Sequence, residues 1–413
     1  MFIPWKSRYP GTWFTVIPHK TGFFSRLFPL EKLLQPKYAI INELLDLMKR
    51  SNENCLLHNK QLIDTINSKL PLFTFDNKEA EQCLITLFRD YSFLASAYKL
   101  HQDYPSELPD VLSKPLIELS KKLNINPNLN YAYGYGLNNM VLKEPYLDQG
   151  HYMSYKTCRM FSNNEPSFIK VLVSMNCYSG ELLGIQQSIL ENASKNSFRD
   201  LTYFLNKHYS VLNKIIESFQ QVWNVSDYVS FFKRQVKNKT SEDTNVEDTN
   251  VEDPLIQDAL ITCVDALFGT LSSKNCIGRL NDYRPLDHRA YIQYNSDMSK
   301  EVRLLNTIYR DPNATFALLK NINALRLFRK IHWNLTKKHI LSHPETLSNS
   351  HISWIPRQLD ITINKLFEII DHLDHSEINA LSPTKRDIYT TLKLEMMEDR
   401  ISLYADLKDQ LIL

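Results

Sequence analysis

The sequence predicts an all-α protein, and two observations carry that expectation. Glycine occurs nine times in 413 residues, against a usual share of about 7%, so tight hairpins and glycine-built loops are scarce and helices are favoured. Apolar residues also recur three and four positions apart along much of the chain, the spacing that lines one face of a helix. With 43% hydrophobic residues the chain can bury a sizeable core, and its length suits about two to three domains.

Residues 1 to about 30 are rich in aromatics, Pro and Gly and read as an irregular segment lying across a surface. Helical patterning starts in "LEKLLQPKYAIINELLDLMKR", where Ile40, Leu44, Leu47 and Met48 form an apolar face, and continues in "AEQCLITLFRDYSFLASAYKLH". The stretch "QDYPSELPDVLSKP" then carries three prolines in fourteen residues. It marks a junction between a small N-terminal domain, residues 1–104, and a large C-terminal domain, residues 119–413, with 105–118 as the linker. Further on, "SFIKVLVSM" places Phe168, Leu172 and Met175 on one helical face, and "YVSFFKRQVKNK" pairs Phe231 with Phe232. Stripes of this kind are usually core. The acidic repeat "SEDTNVEDTNVEDP" has little to bury and reads as a mobile loop over 240–254.

Forty-eight basic and forty-six acidic residues give a net charge of +2, which makes no case for nucleic acid or an anionic membrane as partner. The six cysteines form no CxxC pair and read as reduced thiols of a cytoplasmic protein. The start "MFIPWKSRYPGTWF" is not a signal peptide, and no run of about 18 apolar residues exists to span a membrane. No complete GxGxxG or GxxxxGK[ST] is present; Gly134-Tyr135-Gly136 is only a fragment.

Two polar residues sit where helical spacing calls for apolar ones. In "NINALRLFRKIHWNLTKKHIL", Leu325, Phe328, Leu335 and the borderline His339 share a stripe with His332 in its middle. His332 is either a core histidine satisfied by a hydrogen bond or a ligand of a metal or cofactor. In "LIQDALITCVDALFGTL", Asp265 projects onto the stripe of Ile261, Val264 and Phe268. A buried carboxylate needs a cation or donors, and Arg329, one turn before His332, is the candidate; the alternative is an edge position in water. The cluster "DHLDH" puts His372 and His375 within metal reach of each other but reads as a solvated face.

Five stretches in order resemble the indoleamine 2,3-dioxygenases, a family of haem enzymes in which a small helical domain packs on a large helical one. They are "LSKKLNINPNLNYAYGYGLNN" (119–139), "FQQVWNVSDYVSFF" (219–232), "QDALITCVDALFG" (257–269), "YRPLDHRAY" (283–291) and "RKIHWNLTKKHI" (329–340), so the similarity covers about residues 105–342. The resemblance implies haem b as cofactor, with His332 as the iron ligand. It also implies that Arg329 neutralises a haem propionate while Asp265 orients it. It makes Tyr131, Gly134, Tyr135, Phe168, Leu172, Phe231, Phe232 and Val236 the lining of the O2 and substrate pocket. The implied partners are O2, a small indole or other aromatic substrate, and an electron donor that keeps the iron ferrous.

The chain also departs from the family pattern. Four residues after the second Phe, where the family has an Arg that pairs with the substrate carboxylate, stands Val236, and the nearby Arg234 points to another face of a helix. Leu172 matches the family's distal Ser, and "TNVEDPLIQDA" replaces its Gly- and Ser-rich loop. Three readings follow: a haem-dependent dioxygenase acting on tryptophan or a related indole, a haem protein of this fold with another reaction or a sensor role, and a helical scaffold in which His332 is core.

Overall fold

The computed structural model describes residues 2–26, 29–50, 60–76, 78–99, 107–142, 155–160, 165–224, 258–271, 281–338, 349–373 and 381–410. These residues are predominantly helical, as expected. The first helices are α1 (Ala39–Arg50), α2 (Lys60–Lys69), α3 (Glu81–Lys99) and α4 (Asp110–Leu123). A tight π-helical turn, Tyr131–Tyr135, and a two-stranded ribbon follow, β1 (Met140–Leu142) pairing antiparallel with β2 (Tyr155–Thr157). Then come α5 (Glu165–Asn176), α6 (Ser179–Ser194), α7 (Phe198–Gln220), α8 (Ala259–Phe268), α9 (Leu286–Glu301), α10 (Leu304–Ile308), α11 (Pro312–Thr336), α12 (Asn349–His372) and α13 (Pro383–Gln410). No helix among the described residues is long and apolar enough to cross a membrane.

Two of the helices that build the site begin or end for clear local reasons. Asp311 caps α11 by accepting from Ala314 N at 2.8 Å, with Pro312 in the first turn, where its missing N–H costs nothing. Asp258 caps α8 in the same way, and Gly269 ends that helix in the left-handed conformation. Helix α11 is the centre of the fold: it packs on α7 along one side and on α12 along another, while α7 also carries α5 and α6. One hydrophobic cluster runs from Trp13 through all of these helices to Met396, and a second, smaller one joins Trp333, Ile355, Ile363 and Leu403.

The N-terminal segment is irregular, as its composition predicts, but it lies in the core and not only across a surface. Trp13, Phe14, Val16 and Phe23 are buried. Their backbone is pinned by distant elements: Val16 N donates to Asp287 Oδ2 at 2.7 Å, His19 N to Gly180 O at 2.8 Å and Phe23 N to Ser179 Oγ at 3.1 Å. The "YRPLDHRAY" stretch thus holds this segment, with Asp287 gripping its backbone and His288 meeting Phe14 and Phe23 edge-on. A buried ionic knot does similar work beside α3, where Asp90 takes Arg89 and Arg159, both at 2.9 Å. The interval 105–118, expected to link two domains, is occupied from Asp110 by α4, which packs on α3.

Candidate functional site

His332 lies on α11 four residues before its last helical residue and is 4% exposed. Around it the apolar stripe closes as the spacing requires: Phe328 and Leu335 are buried, and Phe219, from the end of α7, brings its ring edge-on to the imidazole at 6.1 Å. Phe219 also packs against Phe328 at 4.6 Å between ring centroids.

One turn away, Arg329 and Asp265 are brought together. Arg329 Nη2 donates to Asp265 Oδ1 at 2.5 Å and Nη1 to Thr362 Oγ1. Thr270 Oγ1 gives the same carboxylate oxygen a second donor at 2.5 Å. Asp265 is therefore a buried, partnered group and not one at a wet edge. Burial still pushes its carboxyl pKa up, against the downward pull of Arg329 and Thr270. Asp265, Arg329 and Thr362 come from α8, α11 and α12, so the turn of α11 that carries His332 is fixed on two sides.

Those residues expected to line the pocket that are described belong to two elements. Tyr131, Gly134 and Tyr135 are all buried in the π-helical turn, where Tyr135 N reaches Asn130 O and Gly136 N reaches Tyr131 O. A Cβ on Gly136 would strike the Tyr131 ring and one on Gly134 would strike Leu129, which explains the Gly-Tyr-Gly fragment without any phosphate. Phe168 and Leu172 are buried on one face of α5. The two elements are tied together, because Tyr131 Oη donates to Leu172 O at 3.1 Å.

That tie continues into α8 through two residues that the stripe pattern did not single out. Asn176 Nδ2 donates to Tyr131 Oη at 2.9 Å and to Asp258 Oδ2 at 2.8 Å. Asp258 is fully buried, and burial raises its carboxyl to about 6, against donors from Leu260 N and Asn176. An acidic residue directly before the apolar run of α8 is a capping signal, so Asp258 was open to notice, and so was Asn176, a polar residue at helical spacing on the face of Phe168 and Leu172; Phe219 and Thr362 do not stand out in the same way. Phe231, Phe232, Val236, His339, His375 and the 240–254 loop lie outside the described residues. His372 stacks on Tyr309 at 3.9 Å.

The donor set suits haem better than a bare metal ion. Among the described residues no three His, Cys, Asp or Glu side chains are placed to hold a metal. A macrocycle brings four donors of its own and asks the protein for one axial imidazole in dry surroundings, with a cation for its propionates. His332 among Phe219, Phe328 and Leu335, with Arg329 beside it, has that composition.

Residues 14–237, a little over half of the chain, match the indoleamine 2,3-dioxygenase family. No curated protein matches the chain. The family match reaches back into the N-terminal segment and ends before α8 and α11, so it takes in the π-helical turn and α5 but not His332. On that match, and on a fold of helices around α11, this chain belongs to the indoleamine 2,3-dioxygenase family, whose members are haem-dependent dioxygenases.

Proposed function

We propose that this protein binds one b-type haem through His332 and inserts O2 into the indole ring of tryptophan or of a related aromatic compound. The observation that carries the reading is the buried imidazole of His332 in an apolar surround, one turn from the Arg329–Asp265 pair. When bound, haem would supply the redox chemistry that activates O2. The protein's share is to present the imidazole, to neutralise propionate charge through Arg329, and to keep water out with Phe219, Phe328 and Leu335. Tyr131, Gly134, Tyr135, Phe168 and Leu172, joined by Phe231, Phe232 and Val236, are the proposed wall against which a flat indole is held. Leu172 offers no hydroxyl to the reacting atoms, so no proton transfer is assigned to that position.

Absorption spectra of the protein loaded with haem, taken ferric, ferrous and ferrous with CO, test the axial ligand. His332→Ala is expected to lose or shift the Soret and CO-difference bands, while His372→Ala retains them. Unchanged spectra in His332→Ala would remove it as the ligand.

The substrate preference is expected to follow Val236. A carboxylate buried without its charge-assisted partner costs roughly 2 to 5 kcal/mol, or about thirty-fold to several thousand-fold in affinity. L-Tryptophan should therefore be turned over less efficiently than indole, and Val236→Arg should narrow the gap. Efficient tryptophan oxidation by the unmodified protein, insensitive to Lys233→Ala and Arg234→Ala, would show that the carboxylate is recognised elsewhere.

A further inference from the structure

We infer that Asp258 is a positioning residue for the substrate wall, its charge deciding, through the amide of Asn176, whether Tyr131 is bonded to α5. The inference rests on the reading of Tyr131 as part of that wall. Asn176 is fully buried at the end of α5. Its Nδ2 has two hydrogens for three acceptors: Asp258 Oδ2 at 2.8 Å, Tyr131 Oη at 2.9 Å and, farther off, Leu172 O at 3.4 Å. The two shorter contacts take both hydrogens. The Tyr131 hydroxyl, accepting from Asn176, gives its own hydrogen to Leu172 O at 3.1 Å. Donation therefore runs in one direction, and Asp258 sets it. A carboxylate only accepts, so it draws the Nδ2 edge of Asn176 toward itself and toward Tyr131. Asn176 Oδ1 is left buried with no hydrogen-bond partner among the described residues. Turning the amide would relieve that oxygen only by setting it against the carboxylate.

A neutral carboxyl in the same place donates. Asn176 then turns its oxygen to Asp258 Oδ2, and the Tyr131 hydroxyl, now beside that oxygen, moves its hydrogen from Leu172 O to Asn176 Oδ1. The bond between the tyrosine and α5 is lost, while Leu260 N keeps Asp258 Oδ1, at 3.1 Å, as the cap of α8. Burial lifts the Asp258 carboxyl to about 6, against donors from Leu260 N and Asn176 and the charge of Arg284. The carboxyl is thus ionised at neutral pH and protonates in mild acid. Its neighbours do not titrate with it. On its own helix Cys263 is held neutral by burial, and Asp265, two turns on, is taken by Arg329. In the π-helical turn Tyr131 is likewise held neutral, and α5 presents the amide of Asn176. From the stretch before α9 comes Arg284, whose Nη2 donates to Asp258 O at 3.2 Å and to Thr262 Oγ1 at 2.8 Å, and which stays cationic at any such pH.

Infrared titration of the full-length, haem-free protein reads the switch directly. A neutral-carboxyl band is expected to grow as the pH falls through about 6 and to be missing in Asp258→Asn, which keeps the cap because Asn caps a helix as well as Asp does. A tyrosine C–O band that Tyr131→Phe removes should shift over the same pH range. In the haem-loaded protein with CO, the C–O stretch should move with that titration in the wild type but stay fixed in Asp258→Asn and in Tyr131→Phe, although Tyr131→Phe retains the carboxyl band. The KM for indole should be about threefold to tenfold higher at pH 5.5 than at pH 7.5, the effect of one hydrogen bond, with kcat changed less. Asp258→Asn should show the raised KM at both pH values. A carboxyl band that persists in Asp258→Asn, a tyrosine band indifferent to pH, or a CO stretch that titrates as well in Tyr131→Phe as in the wild type would overturn the inference. So would an Asp258→Asn variant that lowers the thermal midpoint and leaves every pH profile as in the wild type, the mark of a cap and nothing more. A protein that takes up no haem would defeat the function proposed above, and the two infrared bands would still decide whether Asp258 controls Tyr131.

Discussion

Arg329 and Asp265 are 4% and 5% exposed, a depth at which a lone charge is far costlier than a paired one. Removing either leaves its partner desolvated, so the two substitutions should not add. Asp265→Asn and Arg329→Met are each expected to cost on the order of 3 kcal/mol in urea unfolding, and the double variant clearly less than their sum. Additive costs in that cycle would show that the pair is a contact without coupling. Asp265, like His332, was legible in the sequence because it breaks a helical stripe, and a polar group on an apolar face needs a reason; Arg329 was legible as the cation one turn before His332. Phe219 and Thr362 were not. A phenylalanine on the apolar face of α7 and a threonine inside α12 conform to their surroundings, and only the fold brings them to α11. The pocket residues were legible through the family resemblance alone, since buried aromatics in helices look like core wherever they occur.

At the scale of elements, α11 is held in place by a polar thread through the core as well as by apolar packing. His208 on α7 lies between Asn321 of α11, Nδ1 to Oδ1 at 2.7 Å, and Gln186 of α6, Nε2 to Nε2 at 3.3 Å. Asn321 spends its amide hydrogens on Leu205 O and Ala317 O, so its oxygen faces the ring and the proton sits on Nδ1. Gln186 Oε1 accepts from Asn295 Nδ2 of α9 at 2.7 Å, which turns its amide hydrogens toward Nε2. Protonating that nitrogen would set donor against donor inside the core. Burial lowers the His208 pKa to about 4, from an ordinary value of 6.5. In the window between those values the unfolded chain binds more protons than the folded one, so stability rises with pH there and is lost as pH falls from 6.5 towards 4. The loss is about 2 to 3 kcal/mol by pH 4.5. His288, lowered to about 3 by burial, acts in the same direction, whereas Asp258, raised to about 6, acts in the opposite one. Comparing wild type with His208→Gln at pH 7.5 and 4.5 cancels those other groups. The variant is expected to be less stable at pH 7.5 and to lose about 2 kcal/mol less on acidification; equal losses would mean that His208 titrates normally. Helix periodicity reveals that α6, α7, α9 and α11 exist, but not that their few interior polar residues meet at one crossing.

For the whole molecule, the proposed division at 105–118 into a small and a large helical domain is a division of the chain whose consequence for folding can be measured. The hydrophobic cluster is continuous from Trp13 to Met396. The N-terminal segment is tied by hydrogen bonds and ring contacts to α6 and α9, on the far side of that division in the sequence. Burying a large apolar side chain contributes roughly 1.5 to 3 kcal/mol, so Trp13, Phe14, Val16 and Phe23 together contribute on the order of 6 to 12. That is as much as the entire stability of an ordinary domain, about 5 to 15 kcal/mol. The segment therefore cannot lift away while the large domain keeps its core. Urea unfolding of the haem-free protein is expected to be a single transition, with tryptophan fluorescence, to which Trp5 and Trp13 of the segment contribute, coinciding with far-UV circular dichroism of the helices. A fluorescence transition at lower urea than the loss of helix would mean that the N-terminal segment and α1 to α3 fold as a unit of their own. In that case the boundary at 105–118 would be energetic as well as topological.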